Sequence, residues 1–268
     1  MEEASAVLES QSAQTRNILF QCAGCGRDYV SQSGRPPANW ISQHHCSLAC
    51  REKWLVQTLK KNGVGHRFLQ ASLQSFEVSD FTRVAFEAAS EAASDLERGL
   101  FMYGSVGAGK THLLVAIMRK MLEAGVVSPS EVRFAPILEL LEEVKRSWNS
   151  PDATSIERFK RVHALFIDDL GMEIIRDWTF QLFLSVISYR YNEDLPTFIS
   201  SNLSERELLD RYGSAVFSRI AQMCRLVKLD APNYRMRRRS AKMEQLQDQQ
   251  TGEYIKVPKE SALQPQTK

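Results

Sequence analysis

The chain has 268 residues, 43% of them hydrophobic and 25% charged, and carries a net charge of +2. That balance is ordinary for a globular protein and excludes a polycation, so any nucleic-acid contact must come from local patches. No run of about 18 apolar residues occurs, which excludes an ordinary membrane-spanning helix. The polar, acidic start "MEEASAVLESQSAQTRN" lacks a basic-then-apolar leader profile, so the expected setting is the cytoplasm, where thiols stay reduced.

Residues 1–19, rich in Glu, Ser and Gln, read as a disordered tail. The block 20–62 holds Cys22 and Cys25, then twenty intervening residues, then Cys46 and Cys50. Two close thiol pairs on separate short elements can close a tetrahedral Zn²⁺ site. Gly26 suits a knuckle turn behind the first pair. Cys46 and Cys50, four apart, share one face of a helix expected over 47–61 and stopped at Gly63. His44 and His45 are rival ligands, and His45 can stand in for Cys46 if the turn demands it. Four thiolates leave no open coordination position, so the expected role of the zinc is structural. The remaining Cys224 reads as a small buried hydrophobe.

Residues 63–75 read as a linker, and "RVAFEAASEAASDLERG" as an Ala- and Glu-rich helix ending at Gly99. From there apolar runs and helical stretches alternate. "GLFMYG" is a short buried strand, "KTHLLVAIMRKMLEAG" a helix stopped at Gly125, and "EVRFAPI" the next strand. "LELLEEVKRSW" is an amphipathic helix, followed by the loop "NSPDATS" and the helix "IERFKRV". "ALFIDDLG" is a strand expected to run from Ala164 to Ile167 and to end at Asp168 and Asp169. "WTFQLFLSVISYRYNE" is a helix, "PTFISSN" a strand, "ERELLDRYG" and "SAVFSRIAQMC" two helices, and "RLVKLD" the last strand. This alternation predicts an α/β fold, with a mostly parallel sheet covered by helices on both faces. Residues 243–268 read as a second disordered tail.

"GSVGAGKT", Gly104 to Thr111, fits the phosphate-loop pattern at every fixed position. Gly104, Gly107 and Gly109 let the backbone curl its N–H groups inward on phosphate oxygens, and the following helix adds partial positive charge. Ser105, Val106, Ala108 and His112 complete the stretch expected to line a nucleotide. Lys110 can reach the β- and γ-phosphates, and the Thr111 hydroxyl can meet Mg²⁺. Asp168, at the C-terminal end of a neighbouring strand, is placed to hold that Mg²⁺, and Asp169 to orient or deprotonate an attacking water. Asn202, at the end of another strand, can bond both water and γ-phosphate.

The order of the phosphate loop, "FIDDLG", "LPTFISSNLS", "SRI" and "NYR" resembles the AAA+ ATPases of the DnaC/DnaI helicase-loader and IstB transposition-helper group, over about residues 64–240. The resemblance implies a AAA+ domain over 76–242, a parallel five-stranded sheet in the order 5-1-4-3-2, and homo-oligomers built through neighbouring ATP sites. It implies that Gly104 to Thr111 is Walker A, Asp168 and Asp169 Walker B, and Asn202 sensor 1. Arg219 in "FSRI" matches the arginine finger that reaches a neighbour's ATP, and Arg235 in "NYR" the sensor 2 position. Arg225 and the "RMRRR" cluster compete for these roles. Asp169 stands where Glu is usual in AAA+ proteins, and the shorter side chain suits slow turnover and a switch. DnaI-type loaders also carry an N-terminal zinc module that contacts the helicase, and the cysteine block resembles it in layout.

The resemblance implies an ATP-dependent helicase loader in DNA replication, whose partners are a hexameric replicative helicase and single-stranded DNA. The alternatives are a transposition helper that binds duplex DNA and recruits a transposase, and a nucleotide-gated zinc scaffold with no DNA role. Lys145, Arg146, Trp148, Arg158, Lys160 and Arg161 are candidate single-strand contacts and read equally well as a solvated face. "NYRMRRRSAK" can contact phosphates or simply open the tail.

Overall fold

The computed structural model describes residues 18–22, 24–26, 28–31, 47–148, 155–240 and 243. Cys46, His44 and His45, the loop 149–154 and most of both expected tails lie outside the described residues.

An antiparallel hairpin comes first. It pairs β1 (Ile18–Gln21), which begins inside the expected tail, with β2 (Asp28–Ser31). Next is α1 (Leu48–Lys61), capped by the Ser47 hydroxyl, which accepts the Cys50 N–H at 3.2 Å. Then follow α2 (Arg83–Ala92), β3 (Gly99–Tyr103), α3 (Lys110–Ala124), β4 (Val132–Pro136), α4 (Ile137–Ser147) and α5 (Ser155–Arg161). The chain continues through β5 (Ala164–Leu170), α6 (Asp177–Asn192), β6 (Thr197–Ser201), α7 (Glu205–Met223) and β7 (Cys224–Lys228). Strands β3 to β7 make one parallel sheet in the order β4-β5-β6-β3-β7. Numbered within that sheet, the order is the expected 5-1-4-3-2 of the AAA+ fold.

Alternate strand residues feed two cores. Leu100, Met102, Phe134, Phe166 and Phe198 pack on the face covered by α1, α2 and α3. Phe101, Leu165, Ile167 and Ile199 pack on the face covered by α4 to α7. With both faces buried, the strands read as continuous apolar runs, which is why length and flanks identified them.

Two of the labelled helices depart from expectation. The helix α2 stops at Ala92 rather than running to Gly99, because the Asp95 carboxylate accepts the Glu97 N–H at 2.8 Å and takes the backbone into a turn. In α7 the backbone breaks at Gly213, with φ 74° and ψ 168°, and so joins the two helices expected there.

The boundary expected at residue 62 does not coincide with a break in packing. Leu55 and Leu59 of α1, with Val64, Leu69 and Ala71 of the expected linker, share one buried cluster with Leu114, Ile117 and Met118 of α3. The buried Arg119 of α3 pairs with Glu52 of α1 and with Glu123, and donates to Leu69 O at 3.1 Å. At the end of α1, Asn62 donates to Pro129 O at 3.0 Å, and its own carbonyl accepts the Phe134 N–H at 2.9 Å on the outer side of β4. The opposite edge strand, β7, exposes Arg225 and Lys228. Among the described residues no helix is long and apolar enough to cross a membrane.

Arg190 of α6 is fully buried and pairs with no acidic side chain among the described residues. Its guanidinium donates to the carbonyls of Phe159, Lys160, Val162, His163 and Pro196 and to the Thr197 hydroxyl, at 2.7–3.2 Å. These oxygens replace water around the charge and tie the starts of β5 and β6 together. Replacing Arg190 by Met strands several buried carbonyls at about 1–3 kcal/mol each, so Arg190→Met should lower the urea midpoint severely. Arg190→Lys should recover only part of the loss, because three donors in a compact head cannot span the same oxygens. Full recovery by Lys would mean that charge alone matters here.

Candidate functional site

The buried strand β3 delivers Gly104 to the C-terminal edge of the sheet, where its N–H donates to Ser201 O at 3.2 Å. The loop then curls into α3. Lys110 is only 5% exposed, and its ammonium donates to Gly104 O at 2.8 Å and Ser105 O at 2.7 Å. Burial pulls its pKa down to about 8, although Asp169 and Asp168 pull the other way. Ser105 turns its hydroxyl to Asp230, and Val106 stands exposed on the rim. At Gly107 (φ 77°) a Cβ would lie 2.3 Å from Asn233 Oδ1, and Tyr234 N–H donates to Gly107 O at 3.0 Å. This position therefore needs glycine for its backbone angle and for the approach of the segment after β7.

The acids do not follow a strand that ends at Ile167. Strand β5 runs on through both of them to Leu170, with a register shift between Ile167 and Leu170 and Asp169 in the left-handed region at φ 54°. Side chains of β6 hold this irregular stretch. Ser200 donates to Asp168 and accepts the Asp169 N–H at 3.0 Å, Ser201 donates to Leu170 O at 2.6 Å, and Asn202 donates to Asp169 Oδ1 at 3.3 Å. Thr111 completes the network, donating to Asp168 Oδ1 at 3.1 Å. A non-glycine residue at positive φ is uncommon and costs about 1–3 kcal/mol, and here the hydrogen bonds with Ser200 and Asn202 hold it. Ser200 and Ser201 escaped sequence reasoning. The available signal was two consecutive serines ending an otherwise apolar strand, since buried hydroxyls need partners.

Over this network lies a cavity of about 890 Å³. Val106 to His112, Asp169 and Asn202 line one side, Phe68, Phe76 and Val78 a second, and Tyr234 and Arg235 a third. Asp168, 4% exposed, sits beneath it. His112 faces the segment before α2, with Nε2 2.9 Å from Ser72 O and 3.3 Å from Ser75 Oγ, and burial lowers its pKa. Arg235 faces Lys110 closely enough to disfavour its charge.

Arg219 is not among the cavity-lining residues. It follows the Gly213 break, donates to Ala215 O at 2.5 Å and lies over the Tyr191 ring at 5.9 Å. The first half of α7 is joined to the loop after β5 through the buried Glu173. This carboxylate accepts the Gly171 N–H at 3.0 Å and the Tyr212 hydroxyl, while Arg211 donates to the Glu173 carbonyl. Burial raises the Tyr212 pKa. No local pattern in the sequence foretold this link.

The cysteine cluster forms apart from the cavity. The sulfurs of Cys22, Cys25 and Cys50 lie within 4.8 Å of one another, an arrangement that could hold a metal ion. A Cβ on Gly24 would meet Cys50 O at 2.1 Å, so a glycine lets the hairpin turn approach the start of α1. Gly26 N–H donates to Cys22 O at 2.7 Å and closes the knuckle. The fourth expected ligand, Cys46, lies outside the described residues.

Burial pushes the Asp168 carboxyl up to about 6. Asp169 adds to the push, and hydrogen bonds from Ser200 and Thr111 oppose it. Because this lies above the value of about 4 in an unfolded chain, the ionised carboxylate costs stability above pH 6, and the cost fades as pH falls to about 4. Asp168→Asn should therefore stabilise the nucleotide-free protein near pH 8, by up to roughly 3 kcal/mol, and give no gain near pH 4. Thermal melts at the two pH values check this, and an equal effect at both would refute it.

The sequence model of the family described as IstB-like ATP binding protein matches residues 64–242. Among curated proteins the chain is similar to the uncharacterized protein YqaM of Bacillus subtilis (strain 168), 29% identical over 204 residues that cover 70% of this chain and 64% of YqaM. It is also similar to the replicative helicase loader DnaI of the same organism, 28% identical over 207 residues that cover 69% of this chain and 65% of DnaI. The matched stretch thus spans slightly less than two thirds of either relative. Among solved structures, the crystal structure of the DnaC helicase loader aligns with a TM-score of 0.56 at 26% identity, covering 62% of this chain and 99% of that one. A phosphate loop on a sheet of this order, acids beneath it and a family match over most of the chain agree: the protein belongs to the IstB-like ATP-binding protein family.

Proposed function

We propose that the protein is an ATP-dependent helicase loader: an adaptor that binds a hexameric replicative helicase and single-stranded DNA and releases the helicase under control of ATP. The observation that carries this reading is the docking of α1, which bears Cys50, on α3, which bears Lys110 and Thr111. A partner held by the cysteine module would be mechanically joined to the helix that opens the nucleotide site. The similarity to DnaI and DnaC supports the same reading. The alternative, a transposition helper on duplex DNA, finds support in the family's description but has no use for the cysteine module. The loader reading carries a cytoplasmic setting with it.

In the proposed ATPase, Lys110 and the first amides of α3 bind the phosphates, and Arg235 reaches them from the third wall of the cavity. Thr111 and Asp168 would hold Mg²⁺, which supplies charge neutralisation on the phosphates. Their fit rests on chemistry: a hydroxyl and a buried carboxylate whose charge burial leaves under-compensated. Asp169 orients the attacking water, and Asn202, bonded to Asp169, links that water to the phosphate. Arg219, on the outer half of α7, serves the ATP of a neighbouring copy in an ATP-bound homo-oligomer. The short Asp169 favours slow hydrolysis, stimulated by DNA.

The cysteine cluster is proposed as a structural Zn²⁺ site of Cys22, Cys25, Cys50 and Cys46, with the metal stapling the hairpin to α1. Freshly purified, reduced protein should contain about one zinc per chain, and Cys22→Ser should lose it. Absence of zinc from the reduced wild type would remove this part of the reading.

The loader reading is tested by co-purification with the hexameric replicative helicase of the same host. The intact chain should retain the helicase in the presence of ATP. Deletion of residues 1–46, which spares α1 and the core it completes, should abolish retention. No retention by the intact chain would overturn the reading, whereas retention by the deletion would overturn only the module's role.

A further inference from the structure

Residues 234–240 form a helix whose side chains are all exposed, and four of the seven are arginines: Arg235, Arg237, Arg238 and Arg239. Like charges three and four apart on one helix repel, so the cluster costs stability unless something neutralises it. Arg237 pairs with Glu77 at 2.8 Å. Arg238 and Arg239 have no ion pair among the described residues. Tyr234 opens the helix partly exposed, with the Arg237 guanidinium 5.8 Å from its ring centroid.

The same helix is seated on the nucleotide loop. Asn233 Oδ1 caps it by accepting the Arg235 N–H at 3.0 Å and the Met236 N–H at 3.3 Å, and its amide lies against Gly107. Tyr234 N–H donates to Gly107 O at 3.0 Å. Across the cavity, Glu77 accepts both the Tyr234 hydroxyl at 3.0 Å and Arg237. Glu77 thus clasps the arginine helix to the wall that carries Phe76 and Val78.

We propose that this arginine helix docks the phosphate backbone of single-stranded nucleic acid, and that docking takes Arg237 from Glu77 and loosens the wall of the nucleotide cavity. A single strand is favoured over a duplex because a partly exposed aromatic ring with a guanidinium 5.8 Å from its centroid stands at the head of the basic row, the kind of pairing that grips unpaired bases. The proposal gives the single-strand binding of the loader reading a location and a consequence, and it does not depend on any helicase.

The test uses the intact chain and a labelled oligonucleotide followed by fluorescence anisotropy over a range of salt. Loss of two phosphate contacts in Arg238→Ala/Arg239→Ala should weaken binding and reduce the slope of log affinity against log salt by about 1.4 on a single strand. An unchanged slope would overturn the docking surface, and preferential loss of duplex binding would overturn the choice of single strand. For the coupling, the strand should speed release of a fluorescent ADP analogue from the wild type by about two- to fivefold, the rate equivalent of one exposed ion pair. Glu77→Gln should release it fast without the strand and respond no further. Release from the wild type that ignores the strand would overturn the coupling. Helicase co-purification by Arg238→Ala/Arg239→Ala, measured alongside, separates failure of this proposal from failure of the loader reading.

Discussion

Two opposite charges held out of water organise this molecule. Lys110 and Asp168 lie at the C-terminal edge of one sheet, and burial makes each less willing to carry its charge. An unpaired buried charge is prohibitively costly, so the surrounding backbone must supply partners. Loop carbonyls receive the ammonium, while Thr111 and Ser200 serve the carboxylate. Most of what is unusual nearby follows: the bulged end of β5, the left-handed Asp169, and the polar finish of an apolar β6. In the proposed ATPase, the triphosphate and its Mg²⁺ would bring charges of both signs to this half-compensated pair.

The alternation of apolar runs and helices was enough to place nearly every strand and helix of the large sheet, because burial on both faces writes itself into short stretches of chain. The phosphate-loop pattern was legible for a related reason: its glycines, Lys110 and Thr111 lie within a single turn of loop and helix. The partners of those residues come from distant segments and leave no local mark. Asn233 against Gly107, Glu77 against Tyr234, and Glu173 against Tyr212 are of this kind. The early end of α2 shows propensity overruled by one side chain, since an Ala- and Glu-rich run yielded to the turn made by Asp95. Gly63 stops α1, yet the buried cluster continues past it through Val64, Leu69 and Ala71, so stopping a helix is not leaving a core.

That last point bears on how signals travel. α1 is shared between the cysteine cluster at its start and the ATPase core along its length, with the buried Arg119 spanning from α3 to Glu52. Rigid packing transmits displacement where a flexible linker would absorb it. The nucleotide loop is therefore bordered by two levers, α1 behind α3 and the arginine helix above Gly107, which lead towards opposite ends of the chain.

The rims of the sheet carry a consequence for self-association. On one side the Asn62 carbonyl occupies the Phe134 N–H of β4, and on the other β7 presents Arg225 and Lys228. A borrowed strand finds the Phe134 N–H already taken at the first rim and two ion-paired cations at the second, Arg225 with Glu91 and Lys228 with Asp230, a charged edge of the kind by which natural sheets resist edge-to-edge growth. Copies of this chain are thereby steered away from fusing into a continuous ribbon. Any ring or spiral must close through helices and loops, contacts that can form and part without unpicking a single strand.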